Sequence, residues 1–409
     1  MGVNYFTYWI LAAVLIAVGS NDILGSIEGI FWALIFSFVL IFGSKNSERF
    51  TLVAPYLLFF TISFTSLIGL TETLTGSHAT SSTPMLYGLS FYTASIAYLH
   101  KKKLLMLVDV WKVSNPIMLF TGPMTLFIKN IRHRGIRHRI NFYLPFFIIG
   151  LFYFKIIGGP LISFMFLINE TDIVSSIVFA IIFEIFVYAN FCGLSLMIYG
   201  ISGIVGYQIP LNFKQPFSAS NIIDFWRGWH TSLSVVLKEL FYNPLRKKIG
   251  ILSTLIVVYL ASAMWHGVAF NFFLWGVFHA LLFYITILIN QYQVIWKNFF
   301  SVSIMFLAII FGRFLFADSN VNRLIEKLHF KFIDFSVFEI FFSVPKISLI
   351  ALSIGIFLIG IEFLFRKNHY VNKRTYKHLR LPISQFIIML LFLLLAMSFG
   401  GEYAIYGQR

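Results

Sequence analysis

Cysteine is almost absent from this chain: Cys192 stands alone among 409 residues. A single thiol excludes an intramolecular disulfide framework and any metal site built on paired cysteines. Cys192 lies in an apolar run and reads as a small buried side chain. Charge is scarce too, at 11% of residues, and acidic groups are scarcer than basic ones, 16 against 31. With 59% hydrophobic residues and a mean hydropathy of +0.85, the chain is far too apolar for a water-soluble domain of its length. No Gly-x-x-x-x-Gly-Lys followed by Ser or Thr occurs, which argues against an ATP-driven pump, and no His-x-x-x-His spacing occurs, so no metal is expected. The first apolar run has no basic segment before it and no small-residue cleavage site after it, so it reads as a span and not as a signal peptide. The net charge of +15 would point to nucleic acid in a soluble protein. In a membrane protein, basic loops on one side and anionic headgroups account for it, and no nucleic-acid partner is expected.

What the chain has in abundance is apolar runs of spanning length. They fall near residues 5–20, 29–43, 50–70, 85–100, 142–168, 173–206, 251–267, 270–290, 299–316, 347–365 and 383–398. The expected fold is therefore an all-α integral membrane protein, one domain over residues 1–409, with about eleven transmembrane or re-entrant helices. Asp22, Glu28, Glu72, Glu170 and Asp172 lie in connections without a basic residue, whereas the alternate connections carry the Lys and Arg clusters. That alternation puts the N-terminus in the cytoplasm and residues 402–409 outside.

Two of the basic connections are too long to be simple turns. Residues 101–141 mix short apolar pieces with Ile131-Arg132-His133-Arg134-Gly135-Ile136-Arg137-His138-Arg139. So many arginines would repel a metal cation, and the run reads as a loop that binds headgroups or sets topology. In residues 209–249, Asn221 and Asp224 form a capping pair. Trp226, Trp229, Leu233, Val236 and Leu240 then recur at helical spacing, with Arg227, Thr231, Ser234, Lys238 and Glu239 largely between them, which predicts one amphipathic helix at the membrane surface. Residues 318–346, of balanced charge, read as a solvated outer loop.

The chemistry concentrates in residues 209–280. His230 follows Trp229 directly, and His266 stands between two apolar segments within Trp265-His266-Gly267. An imidazole at membrane depth costs free energy that packing alone does not require, and a partly desolvated histidine can take a proton from a hydroxyl near neutral pH. A single histidine is better explained as a neutral side chain hydrogen-bonded within the bundle. For His266 the balance shifts to function, because Trp265, Asn271, Trp275 and His279 crowd polar and aromatic groups around it. His279 reads equally as its partner or as a core histidine. Glu184, inside a span, serves a proton path or pairs with a basic group.

At these residues the chain resembles the membrane-bound O-acyltransferase family, in particular its bacterial alginate, peptidoglycan and teichoic-acid branch. Asn212-Phe213-Lys214-Gln215-Pro216-Phe217 and Asp224-Phe225-Trp226-Arg227-Gly228-Trp229-His230-Thr231-Ser232-Leu233-Ser234 are similar to that branch's signature. Trp265-His266-Gly267 is similar to its Trp-His-Gly, followed by Leu274-Trp275-Gly276 and Phe278-His279. The resemblance implies a helical fold with a funnel or tunnel, with His266 as the catalytic histidine and His230 as the second active-site histidine. It implies a cytoplasmic thioester donor, acetyl-CoA or an acyl carrier protein, and a polysaccharide or glycolipid hydroxyl outside. The implied location is a bacterial cytoplasmic membrane. Arg227, Lys238, Arg246, Lys247 and Lys248 would attract coenzyme A phosphates, although setting topology explains them too. Trp226, Trp229, Trp265, Asn271, His279 and Asn190 are candidates to line the substrate tunnel. Asn190 and Leu196 stand where the branch has carboxylates, and Leu99-His100-Lys101 replaces its Asp-Val-Tyr-Arg.

The leading expectation is O-acetylation of a cell-envelope polysaccharide. D-alanyl transfer toward teichoic acid is the enzymatic alternative. A secondary transporter, or a relay subunit feeding an extracytoplasmic transferase, is the alternative from another class; no inverted repeat supports the transporter.

Overall fold

The computed structural model describes residues 47–60, 93–103, 129–168, 172–291, 297–317, 321–328 and 335–364, with a few positions between 35 and 43. The expected spans at 5–20 and 383–398, most of that at 29–43, and residues 61–70 and 85–92 of the next two lie outside the described residues.

Helices dominate what is described. They are α1 (Glu48–Phe59), α2 (Ile136–Phe152), α3 (Gly159–Leu167), α4 (Ile173–Val205), α5 (Ile222–Gly228), α6 (Thr231–Leu237), α7 (Asn243–Ile249), α8 (Ile251–His266), α9 (Phe270–Gln291), α10 (Lys297–Ala317), α11 (Val321–Leu328) and α12 (Lys346–Leu364). Wide π-helical turns, Tyr153–Gly158 and Lys238–Tyr242, join α2 to α3 and α6 to α7. Five helical stretches are long and apolar enough to cross a membrane: Ile136–Leu167, Ile173–Val205, Thr231–His266, Phe270–Asn290 and Lys346–Leu364. The third is interrupted at Gly250. The protein is thus a multi-pass membrane protein, with Phe166, Phe273, Leu307 and Phe357 turned outward where lipid is the solvent.

The longest helix among the described residues, α4, is the central post. Asp172 caps it, its carboxylate accepting from the N–H groups of Val174 (2.7 Å) and Ser175 (3.1 Å), while the Ser175 hydroxyl accepts from the Asp172 N–H. This reciprocal cap satisfies N–H groups that lipid could not. The helix α2 lies against α4 at Gly150 and Gly193, where a Cβ on Gly150 would sit 2.5 Å from the Gly193 carbonyl oxygen. With no hydrophobic force between helices in lipid, such close backbone approach lets dispersion hold them together.

Three expectations need correction. The apolar segment expected from 142 begins at Ile136, so the end of the basic run, Ile136 to Arg139, is already helical. The all-α expectation misses one short antiparallel pairing, β1 (Lys129–Asn130) with β2 (Tyr207–Gln208). The single amphipathic helix expected through Trp226, Trp229, Leu233, Val236 and Leu240 is instead broken between Gly228 and Thr231, giving α5 and α6. Helical spacing survives across the break, but the backbone at His230 turns left-handed, with φ +45°. The Asn221–Asp224 cap is present as expected: the Asp224 N–H donates to Asn221 Oδ1 at 3.0 Å.

Candidate active site around two histidines

A strap of extended chain creates the break. Residues 212–214 run beside it, with the Lys214 N–H donating to the Gly228 carbonyl (2.8 Å) and the Thr231 N–H to the Asn212 carbonyl (2.8 Å). The Asn212 side chain then accepts from both the N–H (3.1 Å) and the hydroxyl (2.7 Å) of Ser232. The Thr231 hydroxyl donates to the Leu211 carbonyl at 2.6 Å. These bonds fasten the strap on both sides of Trp229 and His230. A left-handed residue other than glycine costs about 1–2 kcal/mol and persists only where its surroundings over-determine it. Here they hold the His230 imidazole inward, 9% exposed.

The other histidine arrives at a helix end. The residue after it, Gly267, has φ +141°, a backbone open to glycine, so α8 stops at once and leaves His266 at its tip. The Trp265 ring packs against both imidazoles, its centroid 5.9 Å from that of His230 and 5.0 Å from that of His266. His230 is buried, whereas His266 is partly exposed. The structure therefore brings together the two histidines singled out in the sequence.

The remaining aromatic candidates build the walls. Trp275 lies 6.3 Å from His266 and 4.8 Å from His279, so the same indole touches both. His279 is boxed by Trp226 (5.1 Å) and Tyr259 (6.1 Å), and its Nδ1 is buried without a hydrogen-bond partner. Trp226 likewise has a buried, unpartnered Nε1. Asn271 is buried and its amide donates to the Phe316 carbonyl at 2.9 Å, tying the start of α9 to the end of α10. Phe316 in turn packs 5.0 Å from His266.

One residue at the centre was missed. Arg313, buried on α10, is ion-paired with Glu184 of α4 and places its guanidinium 5.0 Å from the Trp229 ring centre and 5.8 Å from that of Phe316. It thus spans from the indole beside His230 to the ring beside His266. The signal was available, since an arginine inside an apolar run marks function as surely as a histidine does. Of the two roles open to Glu184, the structure shows pairing with a basic group. Glu362 of α12 is also buried, and accepts from the Tyr188 hydroxyl and, at 3.3 Å, from the Phe217 N–H. Tyr188 packs 5.9 Å from Trp229, so this second carboxylate braces the same wall.

Other candidates fall outside this cluster. Asn190 is buried on α4, where it packs against Gly158. Arg227 is on the surface, 2.9 Å from Asp224 in an exposed pair. Lys238, Arg246, Lys247 and Lys248 are exposed along the π-helical turn and α7, with Arg246 over the Tyr242 ring.

The chain is 40% identical over 98 residues to a peptidoglycan O-acetyltransferase of Helicobacter pylori, covering 23% of this chain and 19% of that protein. It is 36% identical over 98 residues to a probable alginate O-acetylase of Pseudomonas putida, covering 23% and 20%. It is 28% identical over 147 residues to a teichoic acid D-alanyltransferase of Bacillus subtilis, covering 32% and 37%. The matched stretch thus spans well under half of each of these relatives. The model of the membrane-bound O-acyltransferase family matches residues 111–324, more than half of the chain and including both histidines. The protein belongs to the membrane-bound O-acyltransferase family.

Proposed function

We propose that the protein is an O-acyltransferase that moves an acyl group, acetyl by preference, from a cytoplasmic thioester to a hydroxyl of a cell-envelope polysaccharide or its lipid-linked precursor. The observation that carries this reading is the packing of both His230 and His266 against Trp265 in a largely apolar bundle. His266, at a helix tip and partly exposed, is the base: it takes the proton of the acceptor hydroxyl as the oxygen attacks the thioester carbonyl. Collapse of the tetrahedral intermediate expels the thiolate, which recovers a proton from the imidazolium. His230 and Trp265 hold the imidazole, and the aromatic walls limit water, so positioning and exclusion of hydrolysis supply much of the rate.

Acetyl-CoA is the preferred donor. The exposed cations of α5 and α7 support it, since a basic surface gathers polyanionic phosphates. Basic connections alternating with acidic ones support a cytoplasmic N-terminus in a bacterial inner membrane. D-alanyl transfer from a carrier protein is the second reading, favoured by the teichoic acid D-alanyltransferase among the relatives. A relay to an extracytoplasmic partner uses the same donor half-reaction.

The test is release of free coenzyme A from acetyl-CoA by purified protein in nanodiscs, with and without candidate glycans. Wild type is expected to turn over and His266→Ala to lose at least about 100-fold, the scale of a general base. No coenzyme A release under any acceptor condition, together with no donor binding, removes acetyl-CoA and moves the reading to a carrier-protein donor.

A further inference from the structure

The basic run after β1 folds back on the end of α4. The Ile131 N–H donates to the Gly206 carbonyl at 2.9 Å, extending the β1–β2 pairing. The side chains of Arg132 and Arg139 both pack on Gly206, and the Arg132 guanidinium lies 5.2 Å from the Tyr207 ring centre. Two like charges are thereby drawn onto one glycine.

Arg139 is the informative member. It stands in the first turns of α2 and is 7% exposed, yet its Nε and Nη1 have no hydrogen-bond partner and no carboxylate pairs with it among the described residues. A buried guanidinium with open N–H groups is costly, and native proteins keep such a group where something else satisfies it. The helix it belongs to begins at Gly135 with no side-chain cap, so the first N–H groups of α2 are open at the positive end of the helix dipole. Side chains on a helix lean toward its N-terminus, which points the Arg139 stem at the same end.

We propose that Arg139, the N-terminus of α2 and Arg132 form an anion site for a phosphate group. Two phosphate oxygens would accept from Nε and Nη1 in the parallel geometry that guanidinium favours, and a third from the open N–H groups. Arg132, held over Tyr207, adds the second positive charge. The ligand chemistry is a phosphomonoester or phosphodiester, supplied either by an anionic lipid headgroup or by a soluble phosphate compound. The site uses neither His230 nor His266, so it stands or falls separately from the transfer chemistry.

Full-length protein in detergent is tested in two arms, native mass spectrometry with phosphatidylglycerol and thermal shift with inorganic pyrophosphate. Diacylglycerol is the phosphate-free control. Wild type is expected to bind one of the two probes, and Arg139→Gln to lose at least about fivefold of that binding, as expected for removal of a charge-assisted pair. Exposed Arg49→Gln is expected to keep it. Loss confined to phosphatidylglycerol assigns a headgroup, and loss confined to pyrophosphate assigns a soluble phosphate. Equal binding by wild type and Arg139→Gln, or binding of diacylglycerol as strong as that of phosphatidylglycerol, overturns the site. Arg139→Lys retains the charge and stem, so it keeps the test available if the glutamine variant misfolds: it should bind severalfold more weakly, and undiminished binding overturns the site equally.

Discussion

Asn212 and Ser232 are joined twice through a single atom: Asn212 Oδ1 accepts from the Ser232 N–H at 3.1 Å and from its hydroxyl at 2.7 Å. Because a backbone N–H can only donate, this contact also settles which end of the amide faces the serine. Asn212→Ala removes both bonds at a buried turn. The expected loss is about 1–3 kcal/mol of stability, read as a lower melting temperature in detergent, together with lower turnover. A variant with unchanged melting and unchanged turnover would show that the strap does not hold His230.

His230 offers a way to separate chemistry from folding. Asparagine tolerates the left-handed conformation better than most residues, whereas alanine at φ +45° adds backbone strain. His230→Asn should therefore elute and melt like wild type, yet lose acyl transfer. Retained turnover in a well-folded His230→Asn protein would remove this imidazole from the active site.

The Glu184–Arg313 pair predicts a non-additive cycle. Either Glu184→Gln or Arg313→Gln leaves one buried charge alone, expected to cost about 3–5 kcal/mol. The double variant leaves no lone charge and should be more stable than the sum of the two losses allows. Strict additivity in chemical or thermal unfolding would mean that the two side chains do not interact in the membrane.

Neutralising Arg246, Lys247 and Lys248 together to glutamine touches only exposed side chains. Melting should be unaffected, while KM for acetyl-CoA rises roughly tenfold at low salt and its salt dependence flattens, as steering by surface charge requires. If KM stays the same at every ionic strength, these residues serve topology alone.

Much of the candidate site was legible in the sequence. His230 and His266 stand out because an imidazole in an apolar run has few inexpensive explanations, and Asn221–Asp224 because a cap is a local pattern spanning one turn. The break at His230 was not legible. Trp226, Trp229, Leu233, Val236 and Leu240 keep helical spacing across it, and the bonds that impose it come from Asn212 and its neighbours, about twenty residues earlier. Arg313 could have been read from its place in an apolar run, but its partner Glu184 lies on another helix, and only packing reveals the pair.

The sequence by itself determined that this is a multi-pass helical membrane protein, because in lipid every backbone group must be satisfied within a helix or a closed barrel, and runs of apolar residues leave the helix as the answer. It also singled out His230 and His266 as candidates for the chemistry. Only the tertiary structure decided that one indole, Trp265, contacts both imidazoles, that Arg313 reaches from the ring beside one to the ring beside the other, and that Arg139 is buried with open N–H groups. These relationships join residues far apart in the chain, and local periodicity holds no information about which distant faces pack together.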